Sequence, residues 1–532
     1  MDSTDIALEY LNKARVINLQ INHREGEGRI LNKIASVYAY IGDIEKSIDF
    51  HEQALAVAQN IQDPRLFQRT YFALGQQERR AGHLDLAKEY IESSLQLADS
   101  LRRSVLSQKM RATYFASIHS LYDELLLLLM QQQQNSPAAD YAHQAFQISE
   151  KSRCQSLLEM LNEGQVDLRA GIDPELLERE RLVRQKLNAR EQQRQRLLTE
   201  SPDSDTSDAL ADEIRALLNE YENIETRIRQ AQPRLAAIEK AEALPYEKIQ
   251  HEVLDDSTLL IEYALTGEKS FAWAITKDQI SCVELPPADD IEKTARVVYD
   301  NLTARNAYVD GESTAQRFDR IRMSDENVSS ALLELSDKIL SPLADHLDKP
   351  RIVFVCDEIL QYMPMAALPM PGTTQQGEKS NDRLVNHFEI LSAPSASALP
   401  LIREEKNRGR QPDKLLAIFA DPVFSSSDPR LSSSLLATNE STSQTRSDAL
   451  DQALQETGMG TRSDLSRLPF SRLEATDILT LAGTDACQCY MDFDATYSTA
   501  VAPDLSRFNI VHFATHGMMN TINPELSGLV LS

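Results

Sequence analysis

The 532-residue chain is predicted to be a multidomain protein of mixed class: an α-helical repeat solenoid, a helical hairpin, and an α/β sheet domain. Three observations predict this. Small residues recur at a 40-residue step through the first part of the chain. Apolar residues at alternating steps of four and three run from Leu210 to Ile238. After Pro245, short β-branched and aromatic segments alternate with helical ones. The boundaries drawn are 1–165 for the repeats, 172–240 for the hairpin and 245–532 for the sheet domain.

In the repeat region Gly42 and Gly82 lie 40 apart, each in a turn between two helical runs. Ala14, Ala54 and Ser94 keep the same step, as do Ala7, Ser47 and Ala87. Small side chains fall where one helix must approach another closely, and Ile34, Tyr38, Leu74 and Leu95 fill the gaps between. A fixed period of this length marks a helical solenoid, each unit burying its face on its neighbour. The chain opens inside what would be the second helix of an earlier repeat, Asp5 to Leu19. A third copy, Tyr114 to Lys151, is degenerate and carries the leucine run 125–129 and a glutamine tract as an insertion. Such a surface either docks a peptide or protein or serves as a structural stalk, and both readings stay open.

Residues 174–200 are charged and helical, and the polar segment 201–208 breaks them. Leu210, Ile214, Leu217, Tyr221, Ile224, Ile228, Ala231, Leu235 and Ile238 then form a coiled-coil seam, kinked by Pro233. An antiparallel hairpin is the economical reading, and dimerisation through the seam is the alternative.

The sheet domain opens with three short strands at 259–265, 271–276 and 280–285, followed by helices near 289–306 and 329–346. The apolar run 351–357 has the character of a buried parallel strand. Further strands are expected at 388–392, 415–420 and 508–514, with helices at 395–403 and 472–482. The pattern predicts an open, mostly parallel sheet with helices on both faces. The Ser/Thr-rich stretch 425–447 reads as an exposed loop.

Composition narrows function. The net charge of −26 argues against nucleic acid as a partner, because an acidic surface repels phosphate. No segment has the ~20 apolar residues a membrane span needs. The acidic, polar start is unlike a signal peptide, and five scattered cysteines suggest a reducing compartment, so a cytoplasmic location is expected. Cys487 and Cys489 lack further ligands nearby, so no metal site is expected, and no cofactor motif appears. Gly372-Thr-Thr-Gln-Gln-Gly-Glu-Lys379 resembles a phosphate loop but has one residue too many before the lysine.

His516 and Gly517 stand where the strand 508–514 must stop. Alone, such a histidine is more often a satisfied structural residue than a catalytic one. The segments around it change that balance. The repeat wording, Ile34 to Gly42 and onward to Leu55, resembles a lengthened tetratricopeptide repeat. Residues 351–369, Ala393-Pro-Ser395, Asp421-Pro-Val-Phe424, Leu468-Pro-Phe470, Asp494-Ala-Thr496 and Val511-His-Phe-Ala-Thr-His516-Gly517 with Pro524-Glu-Leu-Ser-Gly528 together resemble a CHAT domain, a caspase- and separase-like cysteine peptidase module.

The resemblance implies a His–Cys dyad, in which the histidine assists a thiolate attacking a peptide carbonyl while backbone amides hold the oxyanion. His516 would then be the catalytic histidine and the Gly517 amide an oxyanion donor. It also implies a protein substrate, and a protein partner on the repeats. In the family the nucleophile follows on the next core strand, but all five cysteines here precede His516. The chain is therefore expected to be an N-terminal portion, inactive as it stands, or else a pseudo-peptidase acting as a scaffold. Cys356 and Glu358 stand where the family usually has proline and glycine. Asp421 and Asp357 are candidates for pocket or loop roles.

Overall fold

The computed structural model describes residues 3–104, 108–163, scattered positions between 173 and 228, 243–305, 309, 311–373, 382–400, 403, 413–424, 428, 430, 465, 467–483, 486–501, 505–518 and 528–532. The linker 201–208, Pro233 and the seam positions Leu210, Ala231, Leu235 and Ile238, positions 374–381 of the phosphate-loop-like stretch, residues 431–464, and the Pro524–Ser527 motif lie outside these residues. The chain divides into two compact units, one of Met1–Glu284, Arg351–Val355 and Leu391–Ala398, the other of Leu285–Pro350, Cys356–Ile390 and Leu399–Ser532.

The first unit begins with seven helices: α1 (Ser3–Gln20), α2 (Arg24–Tyr40), α3 (Ile44–Ile61), α4 (Pro64–Ala81), α5 (Leu84–Ser104), α6 (Gln108–Asn135) and α7 (Tyr141–Glu163). Gly42 and Gly82 follow α2 and α4 with φ of 83° and 87°, the left-handed conformation that ends a helix most easily at glycine. Asp43 and Asp63 cap α3 and α4 by accepting backbone N–H bonds from Lys46, and from Arg65 and Leu66. The periodic small residues do what their spacing predicted: Ser47, Ala54, Ala87 and Ser94 are fully buried. Gly75 belongs to the same logic, since a Cβ there would meet Ile91 Cγ1 at 2.5 Å and the Ala87 carbonyl oxygen at 3.2 Å.

Two findings in these helices were not foreseen. The leucine run lies inside α6, a helix of 28 residues, and Leu125 to Leu129 are all buried. Five consecutive leucines cover more than one helical turn, so α6 is enclosed on every side there. A buried polar chain also links neighbouring helices. Asn32 donates to Thr70 Oγ1 at 2.8 Å, and His51 Nδ1 donates to Asn32 Oδ1 at 2.7 Å.

The first unit also holds β1 (Thr258–Ala264), β2 (Ser270–Ile275), β3 (Ile280–Leu285) and β4 (Arg351–Val355), in a five-stranded sheet of order β3-β2-β1-β4-β5 with β5 at Glu389–Ser392. Every residue of β1 and β2 is buried, which accounts for their largely apolar sequences, with Glu262 the charged exception in β1. The expected single, mostly parallel sheet is not what the described strands form. β1 pairs parallel with β4 but antiparallel with β2, because the short 265–269 connection permits only a hairpin.

Helix α7 packs on this sheet through aromatic and carboxylate contacts. Trp273 Nε1 donates to the Ala142 carbonyl at 3.0 Å, and its ring meets Phe146 edge-on at 5.9 Å. Glu150, wholly buried, accepts from Ser395 Oγ (2.9 Å), Ala396 N (2.9 Å), Ser397 N (2.8 Å) and Ser397 Oγ (2.5 Å). Glu262 on β1 accepts from Ser149 Oγ at 2.6 Å and from Arg153 Nε at 3.3 Å. Burial, reinforced by the neighbouring Glu150, drives the Glu262 carboxyl well above the usual carboxylate range.

In the described parts of 173–228, Arg179 pairs with Glu220 and Arg190 with Glu213, while Val183, Ile214, Ile224 and Ile228 are buried. The later residue of one stretch pairs with the earlier residue of the other, an antiparallel order. No helix among the described residues is long and apolar enough to cross a membrane.

The second unit contains α8 (Ala288–Thr303) and α9 (Thr314–Ile339). Helix α9 starts well ahead of the expected 329, fixed by a capping box between Ser313 and Gln316, and gives way to a 3-10 turn at Pro342, which has no N–H to donate. Strand β6 (Lys414–Pro422) is the centre of a parallel three-stranded sheet of order β7-β6-β8, with β7 at Cys487–Asp492 and β8 at Phe508–Ala514. On one face Phe419 stacks between Tyr490 (4.6 Å) and Phe513 (4.8 Å). On the other, Leu416, Ile418 and Ala420 pack with Ala475 of α10 (Pro469–Ala482). Strand β7 was missed in the sequence because Cys-Gln-Cys-Tyr-Met-Asp has no β-branched residue and is only half-buried.

Two outcomes follow from the packing of the helical repeats. Gly75→Ala is expected to destabilise α4 and α5 by about 1–3 kcal/mol, because the added methyl meets backbone as well as side chain; urea titration followed by helical circular dichroism measures it. The second concerns pH. Burial lowers the His51 pKa to about 4, below its value of about 6.5 in an unfolded chain. The unfolded chain therefore takes up the proton first, so stability is whole above pH ~6.5 and lost as pH falls towards 4. Melting temperatures should drop across that window, and His51→Gln should flatten the drop.

Candidate functional site

The alternation along β8 sends Val511 and Phe513 to the aromatic face, and Ala514 is buried beside β6. The chain bends at Thr515, so His516 emerges half-buried at the carboxyl end of the strand. In an open α/β sheet that end is where ligands bind. Beyond the bend, β9 (Gly517–Met518) pairs antiparallel with β10 (Gly528–Leu529). Val530 N donates to the His516 carbonyl at 2.9 Å, and Thr515 Oγ1 donates to the Val530 carbonyl at 2.5 Å. The His516 ring lies 4.9 Å from the Phe424 ring, tilted by 59°.

Gly517 is aligned with Leu529 next to the bonded pair His516–Val530. Hydrogen-bonded and non-bonded pairs alternate in an antiparallel ladder, so the Gly517 N–H points away from β10. Nothing in the fold requires glycine there: its φ is not left-handed, and a Cβ would come only within 3.8 Å of Leu529 Cδ2. The open approach to that amide is the remaining use for a missing side chain.

His512, four residues earlier, is a different case. It lies inside β8 and its Nε2 meets Glu474 Oε1 of α10 at 3.0 Å, a structural pairing on the helix side of the sheet.

The cysteines of this chain are buried (Cys154, Cys356) or half-buried (Cys282, Cys487, Cys489). Cys487 and Cys489 are on β7, packed with Leu416, Ile418 and Ala475, and β6 stands between them and β8. With strands about 4.8 Å apart, β7 and β8 are separated by roughly 10 Å. Burial raises the Cys489 thiol above its ordinary value, raises Cys154 to about 11 and Cys282 to about 12, so these are protonated, poor nucleophiles. Cys356 is buried. Among the described residues, no group of three or more His, Cys, Asp or Glu is arranged to hold a metal.

The loop candidates are placed as follows. Asp357 precedes a 3-10 turn, Glu358–Tyr362, whose first residue has φ of 42°. Glu358 thus occupies a left-handed conformation that favours glycine. Asp421, next to last in β6, has φ of 48°, and its buried carboxylate is met by Arg467, Arg472 and Arg430. Arg430 falls within the stretch expected to be an exposed loop, yet it is largely buried, drawn in by these charges. None of the three arginines was singled out in the sequence. Their shared signal, three basic residues for one Asp-Pro turn, is spread over more than forty positions.

A comparison with protein families matches the CHAT domain over residues 330–532 and tetratricopeptide repeats over residues 27–100. A comparison with curated proteins found no match. Among solved structures, the de novo designed helical repeat protein DHR64 shares 18% identity, covering 44% of this chain and 99% of that one, with a TM-score of 0.18. At that TM-score the likeness carries no argument. The chain thus carries tetratricopeptide repeats and, behind them, a CHAT domain whose span includes His516, Gly517 and the sheet end that presents them.

Proposed function

We propose that this chain is the repeat-bearing, histidine-bearing portion of a CHAT-domain cysteine endopeptidase, with boundaries near 1–165, 172–240 and 245–532 for repeats, hairpin and peptidase region. The observation that carries this reading is the pairing of His516 with Gly517 at the carboxyl end of β8: a half-buried imidazole beside a backbone amide turned away from its ladder. An imidazole there takes the proton of an attacking thiol and returns it to the leaving amine. The Gly517 amide hydrogen-bonds the oxygen as it gains charge, and a substrate carbonyl can reach it because no side chain intervenes. Burial holds the Cys154, Cys282 and Cys489 thiols protonated, so on this reading the attacking thiol is none of these three. The tetratricopeptide repeats support a protein partner that docks on the helical face.

A second reading is favoured by the same cysteines. With Cys154, Cys282 and Cys489 all held protonated, residues 1–532 by themselves act through binding, as a scaffold or pseudo-peptidase.

The two readings separate in one experiment. Residues 1–532 and the same chain extended by whatever its natural coding sequence adds are assayed against a peptide library. The peptidase reading expects cleavage only from the extended form, sensitive to thiol alkylation and reduced at least 100-fold by His516→Ala. Cleavage by residues 1–532 alone, or cleavage indifferent to His516, contradicts it. No cleavage from a folded extended form favours the scaffold.

A further inference from the structure

Neighbouring strands β6 and β7 carry the same unusual backbone conformation at or next to their last residue. Asp421 has φ of 48° and Asp492 φ of 55°, both left-handed. The β6–β7 register shifts between Ala420 and Pro422, where Asp421 sits. Left-handed backbone is unfavourable for a non-glycine residue, and it persists where surroundings hold it.

The holding groups are three arginines. Arg467 meets the Asp421 carboxylate through Nε (2.8 Å) and Nη2 (2.6 Å), and Arg472 Nε meets it at 2.7 Å. Arg472 Nη2 and Arg430 Nη1 both reach Asp492 Oδ1, the latter at 2.6 Å. Arg430 also donates to the Asp421 carbonyl at 2.9 Å and pairs with Asp428 at 2.7 Å. Three arginines face three aspartates, so the cluster is balanced and offers no excess charge for an anionic ligand. Its work is structural, and its location shows on what.

Two contacts of His516 hang from this cluster. Phe424, whose ring faces His516, lies three residues beyond Asp421. Val530, which bonds the His516 carbonyl, lies two residues before Ser532. Ser532 is tied to both strand ends: its Oγ accepts from Val423 N at 2.7 Å and donates to the Asp492 carbonyl at 2.6 Å.

We propose that Asp421, Asp492, Arg430 and Arg472 form a clamp that positions His516, by fixing the strand ends from which its ring contact and its backbone contact are both suspended. They are positioning residues. The proposal rests on the catalytic reading of His516 only for its consequence, and its test reads geometry rather than cleavage.

The test is amide hydrogen exchange and the ring NMR signals of His516 in residues 1–532, comparing the wild type with Asp421→Asn and Arg472→Gln. Asparagine tolerates the left-handed turn but lacks the charge the arginines grip. The expected result is exchange at Val530 faster by at least tenfold and a moved or broadened His516 ring signal, with amides at the centre of β6 unchanged. A merely structural role would raise exchange throughout the three-stranded sheet together, and that result overturns the proposal. So does a folded variant with Val530 and His516 undisturbed. Should Asp421→Asn fail to fold, Asp492→Asn gives the same readout, since that side chain is 35% exposed and its loss is milder.

Discussion

The candidate site depends on how β6 stops. A strand buried on both faces can continue or turn, and here the turn is made at Asp421 in a backbone conformation that costs energy. The buried carboxylate that results is an expense only if unpaired; with arginines on both oxygens its pKa is held below the usual range, against the effect of burial. The arginines also reach the end of β7, so two strand ends are set by one group of charges. His516 needs no direct bond to that group to be fixed by it, because its ring and its backbone touch residues that it anchors.

The same physical device appears in the first unit with different chemistry. Glu150 stands wholly buried and satisfies four donors from residues 395–397, two of them backbone amides. Glu262, close by, is driven towards its neutral form, since two buried carboxylates so near each other cannot both keep their charge at little cost. In both places a turn between elements is held by buried polar groups that find their partners far away in sequence. Losing one partner would leave an unpaired charge in the core, which costs more than the pair contributes.

That distance explains what was legible in the sequence. The repeats could be read because Gly42, Gly82, Ser47, Ala54, Ala87 and Ser94 express a local rule at a fixed step. Strands β1, β2 and β4 could be read because burial on both faces leaves an apolar run, and β8 because the same run ends on a histidine and a glycine. The burial of the leucine run on every side was not legible, since five leucines in succession break the periodicity that otherwise identifies a helix face. Strand β7 was invisible because its pairing with β6, not its own residues, makes it a strand. The expected open, mostly parallel sheet is mixed around β1 and β2, because hairpin geometry in a short connection outweighs the strand–helix alternation. Of the site, His516 and Gly517 were legible as a strand end, whereas Arg430, Arg467 and Arg472 were not: no spacing rule links them to Asp421, and only the folded chain brings them there.

The central claim is that His516 serves a thiol, and the reactivity of that thiol tests it most directly. In the product of the full natural coding sequence, the rate of iodoacetamide alkylation is followed at each cysteine against pH by mass spectrometry. The account predicts one cysteine that alkylates rapidly below pH 7 and slows at least tenfold at that pH in His516→Ala. A thiol that titrates near its ordinary pKa of about 8.5 in both proteins would contradict it.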